Sequence, residues 1–437
     1  MKLNKSDNMD PTNLYEAFIK FKNQPFLFKI KNVVKKHIIA IDLITTIFFF
    51  IVFGGIYLIS ADKINDSSLI SPVQKVRKEA LPESTNRYFS ESLETNFRHV
   101  IGFLPSWMVA QNIKVDTKAM TQIIYFGIGV NDNGEVIMFN EKNEPTLEWQ
   151  YFTSDYFTRL KNEAQESKTK MLVAFKMFDN ESIDKLISNS TSTNRFTKYA
   201  LDILKKYELD GINLDFEYFT DSNFPTVRYM TDFLQYVSTT LKNENPKYLL
   251  SIDVNATVML SDKAYDMVKI GELVDQIIVM AYDYRTPSSL VAGHVAPLDS
   301  ELNEHSIKQS INSLVGRVPM DKVILAVPFY GYEWETVNRK HKSIVVPNSG
   351  ALATYKRVKE LLGGRKDIVR HWDEKAMSPW LVYEQSGAIK QIYYEDEKSI
   401  RAKMEFIKSQ NLGGVAVWAV GYEGKYNDIW NVIANNK

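Results

Sequence analysis

The chain has 437 residues, 45% of them hydrophobic and 24% charged, a balance that supports a large folded core. Lysine plus arginine equals aspartate plus glutamate at 53 each, which leaves no electrostatic footprint for nucleic acid. The absence of cysteine excludes disulfides, thiolate nucleophiles and Cys-ligated metals, though it does not choose a compartment.

Residues 1–37 read as a basic cytoplasmic segment, with Lys20, Lys22, Lys29, Lys31, Lys35 and Lys36 and little nearby acid. The apolar run that follows, over 38–60, is long enough to cross the roughly 30 Å hydrocarbon core as one helix. The flanking lysines predict a cytoplasmic N-terminus and place everything after Ser60 outside the cell. A cleaved signal peptide is the alternative, against which stand the long basic leader and the long apolar stretch. Residues 61–96 are polar, with weak periodicity, and read as an extracellular linker.

From His99 onward, β-branched and aromatic runs alternate with amphipathic segments. Strands are expected at His99–Leu104, Gln122–Ile128, Lys170–Lys176, Asp210–Phe216, Tyr248–Val254, Asp275–Tyr282, Lys322–Phe329 and Gly414–Val420. Between the fourth and fifth, Met230, Phe233, Leu234, Val237 and Leu241 fall on one helical face. Eight strand-helix units predict an α/β fold, a (β/α)8 TIM barrel over 97–437 preceded by one transmembrane helix. An open doubly wound sheet is the alternative, but the glycine fingerprint and P-loop that would favour nucleotide binding on it are absent. The long gap between strands seven and eight, about 332–396, is expected to fold as a small α+β insertion on the rim, where barrel active sites sit.

In the fourth strand, Asp210-Gly211-Ile212-Asn213-Leu214-Asp215-Phe216-Glu217, the period of two puts Asn213, Asp215 and Glu217 on one side and Ile212, Leu214 and Phe216 on the other. The apolar set packs under helices, so the polar set points into the barrel, with steps of about 6–7 Å and Glu217 nearest the C-terminal mouth. Adjacent carboxyls in a desolvated site do not both ionise easily, so one keeps its proton near neutral pH, as a general acid requires. Strand-end charges satisfied by a basic or backbone partner are the plain alternative. The six histidines, His37, His99, His294, His305, His341 and His371, show no HExxH or paired spacing, which argues for no metal and no cofactor.

The strand Asp210–Glu217 resembles the DGxDxDxE strand of glycoside hydrolase family 18, the chitinase-like enzymes, with Asn213 as a departure. VIGFLPSW (Val100 to Trp107), MAYDY (Met280 to Tyr284), LAVPFYGYEW (Leu325 to Trp334) and the run from HWDEKAMSPWLVY to GVAVWAVG are similar to further segments of that family, in the same order. The resemblance covers roughly residues 97–435 and implies a glycosidase of chitinase or endo-β-N-acetylglucosaminidase type. It implies substrate-assisted retaining cleavage of β-1,4 bonds in an N-acetylglucosamine-containing polysaccharide, peptidoglycan or chitin-like. By the same resemblance Glu217 is the acid, Asp215 holds the acetamido N–H, Tyr282 donates to the acetamido oxygen and Asp283 lies beside it. Trp418 is the floor under the reacting sugar, though barrel core is the other reading for it and for Tyr282. Asn213 and Tyr330 join the substrate-binding set, Asn213 as a residue able to hydrogen-bond Asp215. Trp107, Trp334, Trp372 and Trp380 are candidate sugar platforms.

Asn213 replaces an aspartate that relays a proton in many relatives, a look shared with bacterial cell-wall members. The third strand lacks the SxGG of chitinases, and Lys176 at its mouth reads as solvated rather than as a substrate contact. A catalytically silent glycan-binding protein and an accessory factor in surface polysaccharide assembly are the competing functions. A monomer in the membrane plane is expected.

Overall fold

A computed structural model describes residues 98–218, 225–261, 265–301 and 304–436. The basic segment, apolar run and linker expected over 1–96 lie outside the described residues. Among the described residues, no helix is long and apolar enough to cross a membrane.

Seven strands come first: β1 (His99–Pro105), β2 (Gln122–Gly129), β3 (Lys170–Met177), β4 (Gly211–Phe216), β5 (Leu249–Asn255), β6 (Gln276–Met280) and β7 (Val323–Pro328). A second sheet follows, from β8 (Tyr330–Thr336), β9 (Ala351–Thr354), β10 (Val369–Asp373), β11 (Ser378–Gln385) and β12 (Ala388–Tyr393). Finally β13 (Gly414–Trp418) pairs in parallel with both β1 and β7 and closes an eight-stranded parallel barrel in the order β1-β13-β7-β6-β5-β4-β3-β2. Helices connect the strands and cover the outside, as in a (β/α)8 barrel. The sixth strand is shorter than its sequence suggests because Asp283 takes a left-handed backbone (φ 57°), which turns the chain away from the barrel.

Two apolar layers result from the period of two. The outer one lies between strands and helices: Ile212, Leu214 and Phe216 of β4 pack there with Met230, Phe233, Leu234, Val237 and Leu241, all buried on the helix Thr226–Glu244. Each such side chain contributes about 1.5–3 kcal/mol by leaving water. The inner layer fills the barrel with Ile101, Phe103, Ile124, Phe126, Leu172, Ala174, Ile278, Ile324, Ala326 and Ala416. β4 and β5 break this apolar lining: Asn213, Asp215, Ser251 and Asp253 are buried polar groups. Gly211 lets the strands approach there, since a Cβ at that position would stand 2.2 Å from the Leu249 carbonyl oxygen. Asp210, at the foot of the strand, accepts the Met171 N–H at 2.8 Å and serves the barrel bottom.

The second sheet has the order β10-β11-β12-β8-β9, all antiparallel. Its own core, including Val358, Leu381, Tyr383, Ile392 and Tyr394, lies against the helix Tyr355–Gly364. Gly331 on β8 permits close packing on β12, because a Cβ would meet the Tyr393 carbonyl oxygen at 1.9 Å. Lys403 on the helix Glu397–Ser409 is fully buried and bonds the equally buried Glu395 at 2.6 Å. That pair fastens the end of the second sheet to the last helix before β13.

Candidate active site

The barrel's C-terminal mouth opens into a cleft of about 340 Å³ whose lining includes Asp215, Glu217, Asp253, Tyr282, Asp283 and Trp418. Glu217 sits one residue beyond β4, where its N–H still bonds the Met177 carbonyl at 2.9 Å and so continues the ladder to β3. This backbone bond fixes the direction in which the carboxyl leaves the strand. Asp215, one step deeper, is 3% exposed, and its Oδ1 has no hydrogen-bond partner among the described residues.

Both carboxyls are pushed towards the protonated form. Burial is the largest cause at Glu217 and the Asp283 charge the second, raising its pKa from 4.5 to about 7. Asp215 is raised well above the usual carboxylate range by burial, then by Asp253, then by Glu217, with Lys176 opposing. The two carboxyls oppose one another's ionisation, as the alternation implied, and burial and Asp283 add to the retention of the proton on Glu217.

Asp253 on β5 is a cleft carboxyl that sequence reasoning missed. It is buried and also raised well above the usual carboxylate range, mainly by desolvation. Asn213 donates to Asp253 Oδ1 at 2.8 Å and to Ser251 Oγ at 3.1 Å. Asn213 is thus corrected on two counts: it is wholly buried outside the cleft lining, and its amide serves Asp253 and Ser251 rather than Asp215. An aspartate there would place another acid in a cluster that already resists ionisation. The alternation in Ser251-Ile252-Asp253-Val254-Asn255 carried the signal, because it mirrors that of β4.

Asp283 accepts hydrogen bonds from the hydroxyls of Tyr330 at 2.6 Å and Tyr332 at 2.8 Å. Its side chain is accessible from the cleft yet surrounded by protein atoms, and the surroundings decide its titration: desolvation raises its pKa against these two bonds. Tyr330 lines the cleft and orients Asp283. Tyr282 reaches the same cleft, its ring 6.1 Å from that of Tyr330.

Trp418 forms an aromatic floor with Phe126 (ring centroids 4.6 Å), Phe103 (5.6 Å) and Trp107 (6.3 Å). Trp107, 41% exposed, lines the cleft beside them. The other predicted platforms are corrected. Trp334 is wholly buried and donates to the Pro287 carbonyl, and Trp380 is buried in a stack between His371 and Tyr393. Trp372 lies under the Lys398 ammonium, 3.6 Å from its ring centroid, outside the cleft. Lys176 is likewise not simply solvated: it lines the cleft 5.5 Å above the Phe126 ring. Phe178, Asn255 and Met280 complete the lining.

The histidine spacing that argued against a metal concealed a spatial cluster: the fold brings His294, His341 and Asp373 within ligand distance of one another.

The sequence signature of Glycosyl hydrolases family 18 matches residues 99–423. The chain is 27% identical over 260 residues to the "Uncharacterized glycosylase YvbX" of Bacillus subtilis, covering 59% of this chain and 70% of that protein. It is 30% identical over 258 residues to "Probable chitinase 2" of Drosophila melanogaster, covering 54% of this chain and about half, 52%, of that protein. The fold superposes on the family 18 chitinase of Cycas revoluta solved with (GlcNAc)3, with a TM-score of 0.66 at 20% identity, over 77% of this chain and 99% of that one. The signature runs from the first barrel strand to just past the last, enclosing every cleft residue named above, and the chain therefore belongs to the glycosyl hydrolases family 18, a family of glycosidases.

Proposed function

We propose that the protein is a membrane-tethered extracellular hydrolase that cuts β-1,4 bonds beside an N-acetylated amino sugar, with the substrate's own acetamido group as nucleophile. The observation that carries this reading is Glu217, a cleft carboxyl whose proton is retained up to about pH 7 by burial and by Asp283.

Glu217 transfers its proton to the glycosidic oxygen as the bond to the anomeric carbon breaks and the acetamido carbonyl oxygen bonds to that carbon. Asp215 Oδ1, which has no hydrogen-bond partner among the described residues, accepts the acetamido N–H. Tyr282 donates to the acetamido oxygen as it approaches the anomeric carbon. Trp418 supports the apolar face of the sugar. Glu217, now a carboxylate, takes a proton from water as the water oxygen displaces the acetamido oxygen from the opposite face, so the two inversions together retain configuration. Membrane attachment rests on the apolar run at 38–60 and its basic flank.

The solved relative with bound (GlcNAc)3 supports an N-acetylglucosamine polysaccharide as the ligand class. A silent glycan-binding protein is the second reading, and the retained Glu217 stands against it.

The test is incubation of the purified full chain with N-acetylglucosamine oligomers and with peptidoglycan from pH 4 to 8. Products with new reducing ends are expected, and their absence on both substrates at every pH refutes the reading. Glu217→Gln should abolish turnover while leaving oligosaccharide binding intact; equal behaviour of variant and wild type favours the binding protein. Attachment is checked by fractionation: the full chain should sediment with membranes, and recovery in the soluble fraction refutes the tether.

A further inference from the structure

We propose that His294, His341 and Asp373 form a binding site for a divalent transition cation of the Zn²⁺ class. The three come from separate segments: the loop after β6, the loop between β8 and β9, and the last residue of β10. Asp373 Oδ2 lies 3.2 Å from His294 Nε2 and 3.3 Å from His341 Nε2. Tetrahedral ligands at about 2.0–2.1 Å from a zinc ion stand about 3.3 Å from one another, which is the spacing found. All three ligand atoms lie within 4.8 Å of one another.

The surroundings hold this arrangement in advance. Asp373 Oδ1 accepts the backbone N–H groups of Lys375 at 2.9 Å and Ala376 at 3.0 Å, which leaves Oδ2 turned to the imidazoles. The His294 ring packs edge-on against Tyr393 at 4.9 Å, and His341 flanks the stacked pair Trp380 and Tyr393 at 5.1 Å and 5.8 Å. Neighbouring cations are already matched: Arg285 and Lys342 pair with Glu304, and Lys375 with Glu301. No uncompensated ammonium among these therefore opposes an incoming cation.

Two imidazole nitrogens and one carboxylate oxygen favour zinc and its neighbours over Mg²⁺ or Ca²⁺, which take sets of oxygens. His294 and Asp373 line a cavity of about 320 Å³ that also touches Asp283, and His341 reaches solvent on the other side of Asp373. A bound ion ties the loop after β6 to the second sheet beside the substrate cleft. Without an ion, Asp373 Oδ2 holds a hydrogen bond with the His294 ring and lies beside that of His341.

The experiment strips the full chain with a chelator and titrates it with Zn²⁺, and in parallel with Mg²⁺, by calorimetry and thermal unfolding. One Zn²⁺ per chain, a higher Tm with Zn²⁺ and no response to Mg²⁺ are expected. His341→Gln, at the surface, should fold as wild type, bind Zn²⁺ at least about tenfold more weakly and lose the Tm response; Asp373→Asn should do the same. No Zn²⁺ binding, an equal response to Mg²⁺, or equal Zn²⁺ affinity in wild type and His341→Gln overturns the proposal and leaves a hydrogen-bonded cluster only.

Discussion

Replacing Asp283 by Asn tests the electrostatics of the acid directly. The pKa of Glu217 rises from 4.5 to about 7, worth about 3 kcal/mol of preference for the protonated form. Burial is the larger cause and Asp283 the smaller, so the Asp283 charge accounts for less than half, under about 1.5 kcal/mol, or about one pH unit at most. Asn keeps an oxygen to accept the bonds from Tyr330 and Tyr332, and it tolerates the left-handed backbone at this position, so the shape should persist. A general acid must be protonated in the free enzyme, so kcat/KM on a soluble N-acetylglucosamine oligomer should fall as pH rises through about 7 in wild type. In Asp283→Asn the fall should begin up to about one unit lower, giving as much as about ninefold less activity than wild type at pH 8 beyond any pH-independent loss seen at pH 5. An alkaline limb that stays in place, or moves up, refutes the account of how the proton is held.

Glu217→Gln should also change stability. The folded form of the wild type binds the extra proton, so its stability falls as pH rises from the unfolded value of 4.5 to about 7 and is level above; the Gln variant lacks that fall. Denaturant unfolding should find the two alike at pH 4 and the variant more stable by about 1–3 kcal/mol at pH 8, the range reflecting partial access of the carboxyl to water; a variant that is not more stable at pH 8 refutes this. Tyr282→Phe should lower kcat by about 10²–10³ with little change in KM, as loss of a donor to developing charge predicts, and unchanged kcat removes Tyr282 from the chemistry. Lys403→Met leaves Glu395 buried without its partner and should cost about 3–5 kcal/mol in denaturant unfolding, whereas a near-neutral result shows that Glu395 holds its proton at little cost.

The barrel strands were legible because an all-parallel sheet covered on both sides writes short apolar runs separated by amphipathic helices. β4 was legible in detail: the alternation of Asn213, Asp215 and Glu217 against Ile212, Leu214 and Phe216 is the alternation found. β6 was read too long because nothing local marks Asp283 as left-handed; its two tyrosine partners come from a strand 47 and 49 residues away. The same distance hid Asp253, whose partner Asn213 is 40 residues earlier, and the His294–Asp373 contact across 79. The tryptophans show the limit most plainly. Trp107 and Trp334 have the same chemistry, and only the packing of the whole chain sends one to the cleft and the other into the core.

The two hydroxyls that grip Asp283 belong to β8, a strand of the added sheet rather than of the barrel. The second sheet therefore has a hand on the acidity of the barrel mouth: a shift of β8 against the barrel would loosen or tighten the grip on Asp283 and, through its charge, retune Glu217. A segment outside the barrel is thereby wired into the proton chemistry beneath it.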